Sequence, residues 1–222
     1  MGGKILDKLL INTINYHLYR NDLLSENQYG FTTIDAAMEA KAFAQPIIEN
    51  RGLVIMASLD VQKAFDSAAW PVILRGLRDY NCPRNLYNLS KAFFSDRKAV
   101  INTQNFTIER NITKGSPQGS CSGPRFWNIL YNSLLTLQLN SRSRTIAFAD
   151  DLVILTRGET VTEAENSMNA GLAKVQRWAQ SNQLEFNEEK SRVMLLTRRK
   201  RKERKAVAVY VNNKKLAQVN HI

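Results

Sequence analysis

The chain has 222 residues, 44% of them apolar and 23% charged, an ordinary globular composition that excludes global disorder. Its longest clear apolar run, Leu53 to Leu59, is strand-sized, and the start Met1-Gly2-Gly3-Lys4 has no apolar h-region, so neither a membrane helix nor a secretory signal is expected. The net charge is +11, and nine basic residues with one acid (Glu203) between Lys190 and Lys205 supply +8 of it, a density that suits a polyanion such as nucleic acid, or else a solvated loop or localisation signal.

Ile5, Leu6, Leu9, Leu10, Ile14 and Leu18 recur at helical spacing, which predicts an amphipathic helix over Lys4 to Tyr19. A second helix is expected from after Thr33 toward Glu49, kinked or broken at Pro46. Leu53 to Leu59 (LVIMASL) reads as a buried strand. Asp66 or Ser67 is expected to cap a helix through Trp70 and Leu77, and Pro83 to precede another over Arg84 to Phe94. Lys98 to Asn102 and Phe106 to Asn111 read as a hairpin.

A glycine-bearing loop, Lys114 to Gly123, leads into an apolar helix from about Pro124 to Leu139. Arg144 to Ala149 and Leu152 to Thr156 read as a tight hairpin separated by Asp150-Asp151. A helix over Val161 to Gln180 follows, then strands at Ser191 to Thr197, Ala206 to Val211 and Leu216 to Val219, the last two joined by Asn212-Asn213. Strands and helices mix without strict alternation, which predicts an α+β sheet with helices on one face. Cys82 and Cys121 are too few for a disulfide framework or a zinc site alone, and reduced thiols inside a cell are expected.

Acids stand where apolar residues are expected. Asp60 ends an apolar strand, and Asp150 and Asp151 interrupt an apolar hairpin. Unpaired carboxylates at buried strand edges are costly and repel one another. A hard divalent cation removes that conflict, since Mg²⁺ takes carboxylates together with substrate phosphates. Two such ions about 4 Å apart can activate a hydroxyl and stabilise a leaving pyrophosphate. Neighbours on a strand point to opposite faces, so Asp60 and Asp150 are assigned as the core ligand pair and Asp151 as peripheral. The bland alternative is an ordinary Asp-Asp turn. Phe65, five residues after Asp60, reads as core by itself, and the Lys114 to Ser120 loop as a capped loop suited to phosphate contact.

Taken in order, the segments resemble reverse transcriptases of non-LTR (LINE-like) retrotransposons. SLDVQKAFDSAAW (Ser58 to Trp70) resembles motif A, TKGSPQGSCSGPRFWNILYN (Thr113 to Asn132) motif B, IAFADDLVIL (Ile146 to Leu155) motif C, and LEFNEEKSRVMLL (Leu184 to Leu196) motif D. LLSENQYGF (Leu23 to Phe31) resembles the stretch that opens the fingers-to-palm region. The wording of motifs A and B resembles arthropod elements, including those that insert into ribosomal genes.

The resemblance implies a right-hand polymerase with an antiparallel palm sheet packed on helices. It implies partial fingers at 1–52, a palm at 53–222 with a fingers-like insertion at about 68–122, and no thumb or endonuclease. Asp60, Asp150 and Asp151 would be catalytic and, with Val61, would bind two Mg²⁺ ions (or Mn²⁺). Phe65 would gate the sugar 2′ position, Gln118 and Gly119 would contact the nucleotide or template, and Lys190 would aid pyrophosphate departure. The basic run, Arg198, Arg199, Lys200, Arg201 and Lys202, would hold nucleic acid. The partners implied are an RNA template, a DNA primer and deoxynucleoside triphosphates, with no membrane and a nuclear setting.

The chain departs from the family pattern between Gly30 and Asp35, where about four residues are missing, at Arg125, where an apolar residue is common, and at its end, short of the primer grip. It therefore reads as a fragment, with a catalytically inactive nucleic-acid-binding remnant as the rival function. Phe65 argues against an RNA-templated RNA polymerase. His17 and His221 lie in no nucleophile context.

Overall fold

Alternation of apolar residues with half-buried ones drives Leu53–Val61 into the central strand of a sheet (β1). The computed structural model describes residues 2–30, 36–117, 119–199 and 206–219. They fall into two compact units, one of residues 1–24 and 63–133, the other of residues 25–62 and 134–222.

The first unit is mainly helical: α1 (Gly2–Arg20), α3 (Ala64–Ser67), α4 (Trp70–Asp79), α5 (Arg84–Phe94) and α6 (Gly123–Leu135), with a hairpin of β2 (Lys98–Asn102) and β3 (Thr107–Asn111). Aromatic rings form its interior. Trp70 stacks on Phe94 at 5.3 Å between centroids, Phe94 meets Phe126 at 4.8 Å, and Trp127 stacks on Tyr131 at 5.0 Å. Arg125 donates to the Tyr19 hydroxyl at 2.7 Å and lies over its ring, so the polar residue at that position has a partner on α1. Asp66 and Ser67 do not cap the helix through Trp70. They form the separate single turn α3, and α4 starts from Ala69 with no side-chain cap and a proline in its first turn.

The second unit holds a five-stranded sheet of order β4-β5-β1-β6-β9, built from β4 (Ser143–Phe148), β5 (Asp151–Gly158), β6 (Phe186–Thr197) and β9 (Ala217–Gln218) around β1. The pairs of β1 with β5 and β6 and of β4 with β5 are antiparallel, and β9 joins β6 in parallel. A small hairpin, β7 (Tyr210–Val211) and β8 (Lys214–Lys215), turns at Asn212 and Asn213, both at positive φ. The expected pairing of Leu216 to Val219 with Ala206 to Val211 is kept at one point, where the Leu216 amide bonds the Val209 carbonyl at 2.8 Å. Lys214–Lys215 forms the paired strand of the hairpin, and Ala217–Gln218 goes on to the sheet edge.

Two helices cover the sheet, one on each face, where the sequence predicted helices on one face only. α2 (Ala36–Glu49) packs Ala40, Phe43, Ala44 and Ile47 against Val54, Met56, Ile146 and Leu155. α7 (Val161–Ser181) covers the other face, where the Thr156 hydroxyl meets the Met168 sulfur at 3.7 Å. Each fully buried Leu, Ile or Phe on these faces contributes roughly 1.5–3 kcal/mol. Pro46 does not break α2. It lies one turn from the end, so only the bond to the Ala42 carbonyl is lost and the helix runs on to Glu49.

Candidate active site

The strand carrying Asp60 runs two residues further than its apolar stretch, because Asp60 and Val61 still pair with Asn187 and Phe186 of β6. Alternation puts Met56, Ser58 and Asp60 on the α2 face and buries Ala57, Leu59 and Val61 on the other. Asp60 thus emerges half-buried on the sheet face, beyond the apolar cluster. The Val61 side chain is 4% exposed on the opposite face, which leaves its main-chain carbonyl as the group able to ligate.

The β4–β5 hairpin turns one residue earlier than expected. Phe148 pairs with Asp151, so the turn is Ala149-Asp150, with Ala149 at φ 57°. Leu59 pairs with Leu152, so Asp60 and Asp151 are the next residues along two paired strands, and alternation turns both to the face opposite those two leucines. Asp150 sits in the turn beside them. The Asp151 carboxyl is raised above the ordinary carboxylate range, first by burial, then by the charges of Asp150 and Asp60. The three acids therefore lie within one another's fields. Among the described residues no group of three or more His, Cys, Asp or Glu side chains is drawn together tightly enough to hold a metal ion. Oxygen donors carrying like charge are nonetheless the chemistry that a hard cation complements.

Behind Asp60, β6 departs from regular pairing. Arg192 pairs with Ser58 and Asn187 with Asp60, so Glu188 to Ser191 bulge out opposite Leu59. The Ser191 hydroxyl donates to the Asn187 carbonyl at 2.7 Å and accepts from the Asp60 amide at 3.2 Å. Lys190 lies exposed on this bulge, its amide directed at the Asn187 side chain at 3.3 Å. Ser191 and Asn187 were within motif D, but nothing in their residue types marked them out.

Phe65 belongs to the other unit. It is half-buried, its ring tilted 35° to that of Trp127 at 5.5 Å, and its carbonyl accepts the Ser116 amide at 2.7 Å. The Gly115 amide bonds the Ala68 carbonyl and the Trp70 indole bonds the Gly115 carbonyl, both at 2.7 Å. Gly115 has φ +98°, and a Cβ there would come within 3.2 Å of the Asp66 carbonyl, so glycine lets the loop lie on α3. Gly119, at φ +76°, has open space around it. Ser120 accepts the Gly123 amide at 2.9 Å and so caps α6. Gln118 lies outside the described residues.

In the basic run, Arg198 is exposed and 4.0 Å from Glu49. Arg199 donates to the backbone carbonyls of Arg51 at 3.2 Å and Glu159 at 2.6 Å. Lys200, Arg201 and Lys202 lie outside the described residues. The second unit thus brings together Asp60, Asp150 and Asp151. It also carries Lys190, Arg198 and Arg199, whereas Phe65 and Gly119 are in the first. No helix among the described residues is long and apolar enough to cross a membrane.

The chain is 30% identical over 79% of its length to the 115 kDa protein in type-1 retrotransposable element R1DM of Drosophila melanogaster, spanning 17% of that protein. It is 26% identical over 85% of its length to the RNA-directed DNA polymerase from mobile element jockey of the same organism, spanning 22% of it. The chain thus spans about a fifth of the length of these relatives. Among solved structures, apo telomerase from Candida tropicalis, truncated from its C-terminal domain, matches 86% of this chain and 40% of that one, with a TM-score of 0.66 at 12% identity. The expected α+β right-hand polymerase fold is borne out by that likeness. A family profile described as reverse transcriptase (RNA-dependent DNA polymerase) matches residues 1–215, and the chain belongs to that family.

Proposed function

We propose that the chain is the polymerase portion of a retrotransposon reverse transcriptase, an RNA-directed DNA polymerase acting by two-metal nucleotidyl transfer. The observation that carries this is the pairing of Leu59 with Leu152, which puts Asp60 and Asp151 next along the two paired strands, with Asp150 in the adjoining turn. Asp60, Asp150, Asp151 and the Val61 carbonyl would hold two Mg²⁺ ions, or Mn²⁺ in their place. Bound there, the ions supply activation of a primer 3′-hydroxyl and charge neutralisation of the departing pyrophosphate. The chain's own contribution is to fix the acids on two paired strands and to hold Asp60 from behind through Ser191.

In this reading residues 53–222 are the palm with a fingers-like insertion at about 68–122, and residues 1–52 are part of the fingers. The substrates are deoxynucleoside triphosphates, a DNA primer and an RNA template, and the setting is the nucleus. Phe65 is the gate at the sugar 2′ position, Gln118 and Gly119 contact nucleotide or template, and Lys190 assists the pyrophosphate. Arg198 to Lys202 follow the phosphate backbone. The test is homopolymer-primed extension by the chain with and without Mg²⁺, beside Asp60→Asn and Asp150→Asn. Extension that needs the metal and both acids supports the reading, and full extension by either variant would sink it.

The absence of a tight three-acid cluster among the described residues favours a second reading, a nucleic-acid-binding protein without turnover. RNA binding with no extension at any Mg²⁺ or Mn²⁺ concentration would support it.

A further inference from the structure

We propose that Gln28 and Gly30 are positioning residues for the acidic turn, holding Ala149-Asp150 in the conformation that keeps Asp150 and Asp151 beside Asp60. This rests on the reading of those acids as cation ligands.

The segment Asn27–Gly30 lies along β4. The Tyr29 amide bonds the Ala147 carbonyl and the Ala147 amide bonds the Asn27 carbonyl, both at 2.8 Å. Tyr29 is 5% exposed, in the apolar cluster with Ile146 and Leu155. That burial anchors the segment, and the next contacts fall on the turn itself. The Gln28 Oε1 accepts from the amide of Gly30 at 2.9 Å and from the amide of Ala149 at 3.2 Å. The Gln28 Nε2 donates to the Ala149 carbonyl at 3.3 Å. One side-chain amide thus engages both backbone polar groups of the residue before Asp150.

Ala149 is where such a hold is needed. Its φ of 57° is left-handed, a conformation that residues with a Cβ disfavour and that persists only where the surroundings over-determine it. Gly30 supplies the other side of the hold. A Cβ built on it would collide with the Ala149 amide and come within 2.6 Å of the Ala149 Cα, so backbone rests on backbone there. Any larger residue must push the turn, and the acid that follows it, out of register.

The test uses the whole 222-residue chain and two readouts. One is hydrogen exchange of the Ala149 amide by NMR. The other is Mn²⁺ affinity by water-proton relaxation. Gln28→Met removes all three hydrogen bonds at similar volume. It is expected to speed Ala149 exchange at least ~10-fold and to weaken Mn²⁺ binding about 10- to 100-fold, the usual size for loss of a group that orients ligands. Amides of α7 on the other sheet face should keep their protection. Gly30→Ala should give the same pattern with Gln28 intact. Gln28→Glu keeps the oxygen that accepts from the Ala149 amide but loses the donor to its carbonyl, so Ala149 exchange should fall between wild type and Gln28→Met.

Wild-type exchange and Mn²⁺ affinity in Gln28→Met would overturn the proposal. So would lost protection with unchanged Mn²⁺ affinity, in a chain where Asp150→Asn does weaken it. Should Gln28→Met not fold, wild-type exchange and Mn²⁺ affinity in Gly30→Ala would overturn it equally. If Asp60→Asn and Asp150→Asn both leave Mn²⁺ affinity untouched, the cation reading fails and the coupling to it falls too, whereas the hold on the turn is judged by exchange alone.

Discussion

The side-chain hydroxyl of Ser191, 1% exposed, accepts a hydrogen bond from the backbone amide of Asp60 at 3.2 Å. The bulge of β6 and the acid-bearing end of β1 are therefore tied at one atom. Ser191→Ala leaves the amide of half-buried Asp60 without that acceptor. A loss of about 1 kcal/mol is expected, the usual net size of one hydrogen bond, and denaturant unfolding checks it. Extension should fall further than stability alone explains, because Asp60 is no longer fixed.

Asp151→Asn should raise the melting temperature of the metal-free chain at neutral pH. Burial and the charges of Asp150 and Asp60 already disfavour the ionised Asp151 carboxyl, so a neutral residue relieves that conflict. Thermal melts in chelator should show the increase, and saturating Mg²⁺ should reverse the order of the two proteins.

Phe65→Val should increase ribonucleotide use relative to deoxyribonucleotides, if Phe65 walls the 2′ position. The substitution also removes a half-buried ring packed on Trp127, so a stability loss of about 1–2 kcal/mol is expected. Competition assays on an active protein read the sugar ratio independently of that loss. An unchanged ratio would return Phe65 to a packing role.

The two described arginines of the basic run should separate. Arg198 is exposed beside Glu49, and such a surface pair adds little to stability. Arg198→Gln should make the salt dependence of RNA binding shallower by about 0.7–0.9 in log–log slope for each phosphate no longer neutralised, at an unchanged melting temperature. Arg199 bonds the carbonyls of Arg51 and Glu159, so Arg199→Gln should lower the melting temperature as well.

Glu188 gives a pH-dependent signature. Hydrogen bonds from Lys214, a backbone amide and Asn212 hold its carboxyl down at about 2. A depressed acid favours the folded state above the ordinary carboxylate range, and that contribution is lost as pH falls toward 2. NMR titration should find Glu188 near 2 in the native chain and back toward the ordinary range in Lys214→Met. Its place at the surface, where water screens the pair, keeps the effect on global stability small.

The sequence made legible whatever depends on local period and local chemistry. Arg84–Phe94 forms the helix expected after Pro83, and the acids of β1 and the β4–β5 hairpin stood out against apolar neighbours. What depends on register was hidden. The Glu188 to Ser191 bulge and the parallel pairing of β9 are set by strands distant in sequence, and the turn at Ala149-Asp150 rather than Asp150-Asp151 is held by Gln28, 121 residues away. The same holds for Gln28 and Ser191, whose roles exist only once long-range pairing brings them to backbone atoms of the acid-bearing strands. Covering of both sheet faces was legible in β1, which is apolar on each, and was missed because the mixed order of strands and helices reads as helices on one face.

The β2–β3 hairpin carries a different consequence. Every residue from Lys98 to Lys114 is exposed, including Ile101 opposite Ile108, and Phe106 near the tip. A two-stranded ribbon with a solvated apolar face and two unpaired edges is a template for other strands. Association through such ribbons is second order in protein, so the fraction of chain lost on storage is expected to fall with dilution, which light scattering across a concentration series checks.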